Sequence, residues 1–290
     1  MRLMNVGVVM WPISPWPQMG RLWQRAEELG FHTGWIYDHL AWRGHTPWDD
    51  AYTSLAAAAA LTSTMRLGTL VTSPNFRHPV PTAQAVKTLD RISGGRITLG
   101  VGAGGTSHGS DGDVLGAEWT PRQRADRFAE WVTLLDALLT GTDVSSDGEH
   151  WSARGVTVSP GLVQLPRPPF LIAGEGPRGM RLAARLGQGW IANPQSPDAP
   201  ALPRLKESLA RFEEICHAEG RDPASVPKLL LTGFTSDPWL SSVAAFEDLH
   251  GEYAEAGITD LAVHWPRPDS AWDADMEVFE AVADFCRNLR

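Results

Sequence analysis

Asp38 and His39 stand side by side at the end of the apolar run Gly34-Trp35-Ile36-Tyr37. A carboxylate beside an imidazole can move protons. The same two residues can also be a helix-capping aspartate and a surface histidine. Two stretches match G-x-G-x-x-G, a spacing that brings backbone amides up to a phosphate. The first is Gly100, Gly102 and Gly105. It ends a strand-like run, but the next helical pattern starts only near residue 120. It therefore reads as a loop whose backbone, free of Cβ atoms, can approach a ligand. The second is Gly174, Gly176 and Gly179, which follows a strand-like run and opens a helix at once. Free amides and the helix dipole there make a phosphate site of the segment Gly174-Glu175-Gly176-Pro177-Arg178, a plain tight turn being the alternative. Pro177 preorganises the first turn, Arg178 adds positive charge, and Glu175 opposes an anion unless it points away. As a dinucleotide fingerprint the segment comes too late, and Asn193 occupies the place of the expected acidic residue. Arg77-His78-Pro79 reads as a helix start or a ligand contact. The sequence has no zinc-ligand spacing and no G-x-S-x-G elbow. That leaves metal and serine hydrolysis without machinery and favours a bound organic cofactor, with no metal.

These residues need a scaffold, and the chain alternates strand-like and helical patterns from end to end. Strands are expected at 5–10, 34–37, 66–71, 96–101, 170–173, 189–192, 228–234 and 260–264. Helices are expected at 17–30, 51–63, 79–93, 120–140, 177–187, 202–219, 241–256 and 273–288. Asp49 and Asp50 can cap the second helix, and Thr120-Pro121 opens the fourth. Residues 142–169, rich in Gly, Ser and Pro, interrupt the pattern as an insertion with room for a small hairpin. Eight β-α units in one 290-residue chain predict a single-domain (β/α)₈ TIM barrel with this insertion before strand five. A doubly wound sheet is the rival. In a barrel, function sits at the C-terminal strand ends. These are Trp11, Asp38-His39, Thr72-Ser73, the segment 102–106, the segment 174–176, Asn193 and His264-Trp265.

Composition sets the outer limits. Hydrophobic residues make up 43% and charged residues 20%, an ordinary globular balance. The net charge of -9 speaks against a broad nucleic-acid or acidic-membrane surface. The longest charge-free apolar stretch, Ser54 to Thr64, is alanine-rich and too short to span a bilayer. The first residues pass directly into a strand pattern, so a cytoplasmic protein is expected. Cys216 and Cys286 are expected to be buried, inert thiols. There are 13 Trp against 3 Tyr. Trp11, Trp16, Trp35, Trp42, Trp48, Trp190 and Trp265 fall near strand ends or in loops. A cluster of them would suit a flat, apolar ligand, and the substrate is expected to be a small hydrophobic or aromatic molecule.

Several pieces together resemble one family. They are Tyr37-Asp38-His39, the run from Leu67 to Pro74 leading to Arg77-His78-Pro79, the run from Thr88 to Gly104, Ala173-Gly174-Glu175-Gly176-Pro177 and Gly187-Gln188-Gly189-Trp190. As a set they are similar to the bacterial luciferase-like superfamily of flavin- and deazaflavin-dependent oxidoreductases. The resemblance implies a (β/α)₈ barrel with an insertion and a homodimer. It implies coenzyme F-420, a deazaflavin, as a hydride carrier. The alternatives are reduced FMN with oxygen, as in a luciferase-like monooxygenase flavoprotein, and a non-catalytic flavin-binding protein. It places cofactor contacts on Asp38, His39, Leu70, Val71, Ala103, Gly104 and the segment Gly174-Glu175-Gly176-Pro177-Arg178. His39 with Asp38 would carry the chemistry, and a non-proline cis bond would join Leu70 to Val71. One departure is plain: Gly105 stands where deazaflavin-dependent sugar-phosphate dehydrogenases carry a catalytic glutamate. This speaks against that particular activity.

Overall fold

The computed structural model describes residues 4–42, 48–105 and 111–289. Its strands are β1 (Asn5–Met10), β2 (Thr33–Ile36), β3 (Arg66–Thr72), β4 (Ile97–Val101), β5 (Val144–Asp147), β6 (Ser152–Val156), β7 (Phe170–Ala173), β8 (Gly189–Ala192), β9 (Lys228–Leu231) and β10 (Asp260–His264). Its helices are α1 (Trp16–Glu28), α2 (Ala51–Leu61), α3 (Pro79–Ile92), α4 (Asp111–Leu115), α5 (Pro121–Thr140), α6 (Pro177–Leu186), α7 (Leu202–Ala218), α8 (Val243–Glu255) and α9 (Met276–Asn288). Eight parallel strands close in the order β1-β10-β9-β8-β7-β4-β3-β2. Closure excludes the doubly wound sheet and gives the expected barrel. The insertion holds the small antiparallel hairpin β5–β6, outside the barrel sheet.

Two expectations need correction. The first helix after β4 starts at Asp111, not near residue 120. Five residues are too few to show a helical period. Strand β9 ends at Leu231, not at residue 234, because Gly233 takes φ +84 and turns the chain.

The helix starts follow local chemistry. Asp50 caps α2 by accepting from Thr53 N at 2.8 Å. Thr120 and Gln123 form a reciprocal capping box at α5. The alanine-rich α2 lies against the barrel with Ala51, Leu55, Ala58 and Ala59 buried. The interior carries Trp35. A Cβ on Gly7 would lie 2.6 Å from its Nε1, and one on Gly68 would lie 2.5 Å from its ring. Glycines on both flanking strands thus make room for one indole. Both cysteines are buried. Among the described residues no helix is long and apolar enough to cross a membrane.

Candidate functional site

The chain carries Asp38 and His39 just past β2, at the mouth where the C-terminal strand ends converge. Asp38 is 1% exposed. Its carboxylate accepts from Arg77 Nε at 2.7 Å, Arg77 Nη2 at 2.6 Å and Thr72 Oγ1 at 2.8 Å. Burial pushes the Asp38 carboxyl up, and the guanidinium gripping it works against that shift. Burial also opposes the charge on Arg77, but hydrogen bonds to Asp38 and to Asp50 outweigh it and hold Arg77 protonated. The Arg77 guanidinium further lies 4.4 Å over the Tyr52 ring.

His39 turns to a different partner. Its Nδ1 lies 3.0 Å from Asp111 Oδ2. The other oxygen of Asp111 accepts the backbone N–H of Leu40 at 2.7 Å. Asp111 is itself 1% exposed. The two adjacent residues singled out in the sequence are therefore not a pair: Asp38 serves Arg77, and His39 faces Asp111. No local pattern pointed to Asp111, which lies beyond a glycine-rich stretch. Arg77 was singled out only as ambiguous. It is an ion-pair partner, while His78 caps α3 by accepting from Val80 N.

Aromatic rings fill the mouth around His39. Trp42 stacks on Tyr37 with centroids 5.8 Å apart, and Trp48 lies 5.9 Å from Trp42. Trp11 stacks on His264 at 5.0 Å and meets Trp272 at 4.8 Å. Tyr37 Oη and His264 Nε2 are 2.6 Å apart. Burial lowers the His264 pKa to about 3, so the ring is neutral at pH 7 and the phenol can donate to it. A cavity of about 250 Å³ adjoins the cluster, lined in part by Thr232, Gly233, Asp237, His264 and Trp272. Three of the seven tryptophans noted in the sequence, Trp11, Trp42 and Trp48, thus converge. Trp272 was missed because it lies in a loop without periodicity. Trp35 lies inside the barrel, Trp190 stacks on Phe212, Trp265 packs on Phe279, and Trp16 belongs to α1.

The glycine segments build a cradle beside this mouth. The Leu70–Val71 peptide is cis, as the resemblance implied. A Cβ on Gly102 would lie 2.7 Å from Val71 Cγ2, so backbone and side chain approach closely there. Gly104 takes φ +78, and its carbonyl accepts from Arg124 Nη1 at 2.6 Å. Gly174 and Gly179 touch through their backbones, since a Cβ on Gly174 would meet Gly179 Cα at 2.8 Å. Gly176 is the N-cap of α6, has no side chain to bond the first amides, and has open space where a Cβ would go. A cavity of about 480 Å³ starts at this helix end, bordered by Ala103, Ala173, Gly174 and Gly176, and runs on between α5 and α6 along Ala125, Ala129, Arg181 and Arg185. Arg178 is paired with Asp126. Glu175 pairs with Arg204 of α7 at 3.8 Å, and its pKa is raised by burial against the pull of Arg204. Capless amides, a dipole end and a glycine floor suit an anionic group.

The sequence profile of the luciferase-like monooxygenase family matches residues 6–238. The chain belongs to this family. Among luciferase-like relatives, the F420-dependent glucose-6-phosphate dehydrogenase of Beutenbergia cavernae is 33% identical over 85% of this chain and 86% of its own length. The 5,10-methylenetetrahydromethanopterin reductase of Methanolobus tindarius is 26% identical over 97% of this chain and 81% of its own. The solved F420-dependent secondary alcohol dehydrogenase, in complex with an F420-acetone adduct, superposes with a TM-score of 0.80 at 20% identity. It covers 97% of this chain and 99% of that one. That likeness bears on the luciferase-like barrel fold alone.

Proposed function

We propose that this chain is an oxidoreductase that binds the deazaflavin coenzyme F-420 and passes hydride between it and a small organic molecule. The observation that carries this reading is the cradle. A glycine-walled strand end and the capless start of α6 border a cavity of about 480 Å³, at the same C-terminal end of the barrel strands as the aromatic cluster. The named functions of the relatives point the same way. Leu70, Val71, Ala103 and Gly104 would line the ring side. Gly174, Glu175, Gly176, Pro177 and Arg178 would lie along the phosphate side, with backbone amides as donors. Bound there, the coenzyme would supply a carbon that accepts or returns a hydride. His39 would hold the proton: its Nε2 has no hydrogen-bond partner among the described residues, while Nδ1 faces Asp111. In the oxidation of an alcohol to a carbonyl, His39 Nε2 would take the hydroxyl proton, and the bound coenzyme would supply the acceptor for the hydride. Asp38 would act through its grip on Arg77, which fixes the chain next to His39.

The aromatic lining supports a neutral, hydrophobic or aromatic substrate. Asp237 and Asp273 border the adjoining cavity and would repel an anion. Gly105 has no side chain, and among the described residues none lies within 4 Å of where its Cβ would be, so among them none stands in for the glutamate of sugar-phosphate dehydrogenases. A titration of the purified chain with F-420 and with FMN, followed by fluorescence, tests the cofactor. At least ~10-fold tighter binding of F-420, about 1.4 kcal/mol, is expected. Tighter FMN binding would overturn the reading in favour of oxygen chemistry. We also propose a homodimer, supported by the prevalence of two-fold oligomers and by exposed Leu165 and Val163. Light scattering should give about twice 31.6 kDa.

A further inference from the structure

We infer that Asp111 is the positioning residue of His39: it fixes the ring proton on Nδ1 and leaves Nε2 as the acceptor at the barrel mouth. This rests on the reading of His39 as the proton-transfer group. The contact itself stands apart from that reading. The Asp111 side chain is 1% exposed and both its oxygens are engaged. Oδ2 lies 3.0 Å from His39 Nδ1, while Oδ1 takes the backbone N–H of Leu40 at 2.7 Å and lies 3.5 Å from that of Ala41. A carboxylate has only acceptors, so the imidazole nitrogen facing it must carry hydrogen. The backbone amides hold the carboxylate in place, so it cannot rotate away without leaving a donor unpaired.

The ring plane is held as well. Tyr37 lies 6.2 Å from the His39 ring, Trp42 stacks at 6.5 Å and 23°, and Trp48 meets it edge-on at 5.8 Å. The His39 side chain keeps 19% of its surface. Only its Nε2 edge is left without a described hydrogen-bond partner. Asp38, although adjacent in the chain, cannot do this work because Arg77 and Thr72 hold its oxygens. The chain therefore brings in its carboxylate from α4, 72 residues farther along the sequence.

The same geometry predicts what an amide would do. In Asp111→Asn, the amide oxygen is retained by Leu40 N–H, because the NH₂ group cannot accept from it. The NH₂ group then faces His39 Nδ1 and donates to it. The ring proton must move to Nε2, and the mouth gains a donor in place of an acceptor.

Long-range ¹H–¹⁵N spectra of the full chain, labelled at histidine nitrogens, read this directly. The buffer is mildly alkaline, where imidazoles are neutral. The His39 signals are assigned with His39→Gln. The parent should show the Nδ1–H form by at least ~10 to 1, about 1.4 kcal/mol. Asp111→Asn should reverse the preference, and Asp111→Glu should restore it in part. A folded Asp111→Asn chain with the parental tautomer would overturn the proposal, as would an Nε2–H tautomer in the parent. Circular dichroism establishes that each variant is folded. Should Asp111→Asn not fold, the parent spectrum and Asp111→Glu still decide the matter. Neither coenzyme nor substrate enters the experiment, so a wrong cofactor assignment leaves the result untouched.

Discussion

Asp38 and His39 share a peptide bond and little else. The sequence displayed both, because a polar pair closing an apolar run marks a strand end. Their partners Thr72, Arg77 and Asp111 lie on other elements, and no local spacing connects them. The division of labour leads to two expectations. His39→Ala should lower the rate of coenzyme turnover at saturating substrate by at least ~10²-fold, the usual range for general acid–base help. Coenzyme affinity should change by less than ~3-fold, because the α6 cradle remains. Stopped-flow absorbance separates this from a ring that only shapes the pocket, which would give near-parental turnover with weaker binding. Arg77→Met instead strands the Asp38 carboxylate in a fully buried place. Breaking a buried pair in this way costs about 3–5 kcal/mol. Urea unfolding should show that loss, and Asp38→Asn added to Arg77→Met should recover much of it. Full additivity of the two substitutions would argue that the pair is not coupled.

Among the elements, the regular ones were legible. All eight barrel strands and their principal helices follow from alternating patterns and capping residues such as Asp50 and Thr120. Helix α4 was not legible, because five residues give no period, and so the carboxylate it brings to His39 stayed hidden. The glycine segments were legible as close approaches, but the sequence could not say what is approached. The structure divides them. Gly174 packs on Gly179 backbone, so Gly174→Ala disturbs the β7–α6 junction itself. Gly176 has φ -87 and open space around its missing side chain. Gly176→Val should leave the fold intact and cost coenzyme affinity at least ~10-fold, about 1.4 kcal/mol. Calorimetric titration of both variants checks this. Unchanged affinity in Gly176→Val would remove the α6 start from the binding site.

At the scale of the whole molecule, two histidines buried among the described residues have a global effect. His250 is completely enclosed, with both ring nitrogens unpaired between Phe246 and Phe285, and burial lowers its pKa. His264 is lowered to about 3. Both are harder to protonate folded than unfolded, so the unfolded chain binds more protons as acid is added. Their contribution is intact above the unfolded pKa of ~6.5 and is lost as pH falls below it, for His264 down to about 3, at up to ~1.4 kcal/mol per pH unit for each ring. Urea midpoints should drop between pH 7 and 4.5. His250→Leu should flatten the decline and be neutral or stabilising at pH 7, since no hydrogen bond is lost. A slope identical to the parent's would contradict this. The closure of the barrel bears on how the chain is made. Asn5 pairs with Asp260 and Val9 with His264, so the barrel's earliest strand in chain order is completed by its latest. Until then β1 presents an open row of amides and carbonyls to any passing strand. Synthesis stalled before β10 would therefore yield a sticky fragment, and chaperones acting on nascent chains should matter more to this protein's yield than its finished stability suggests.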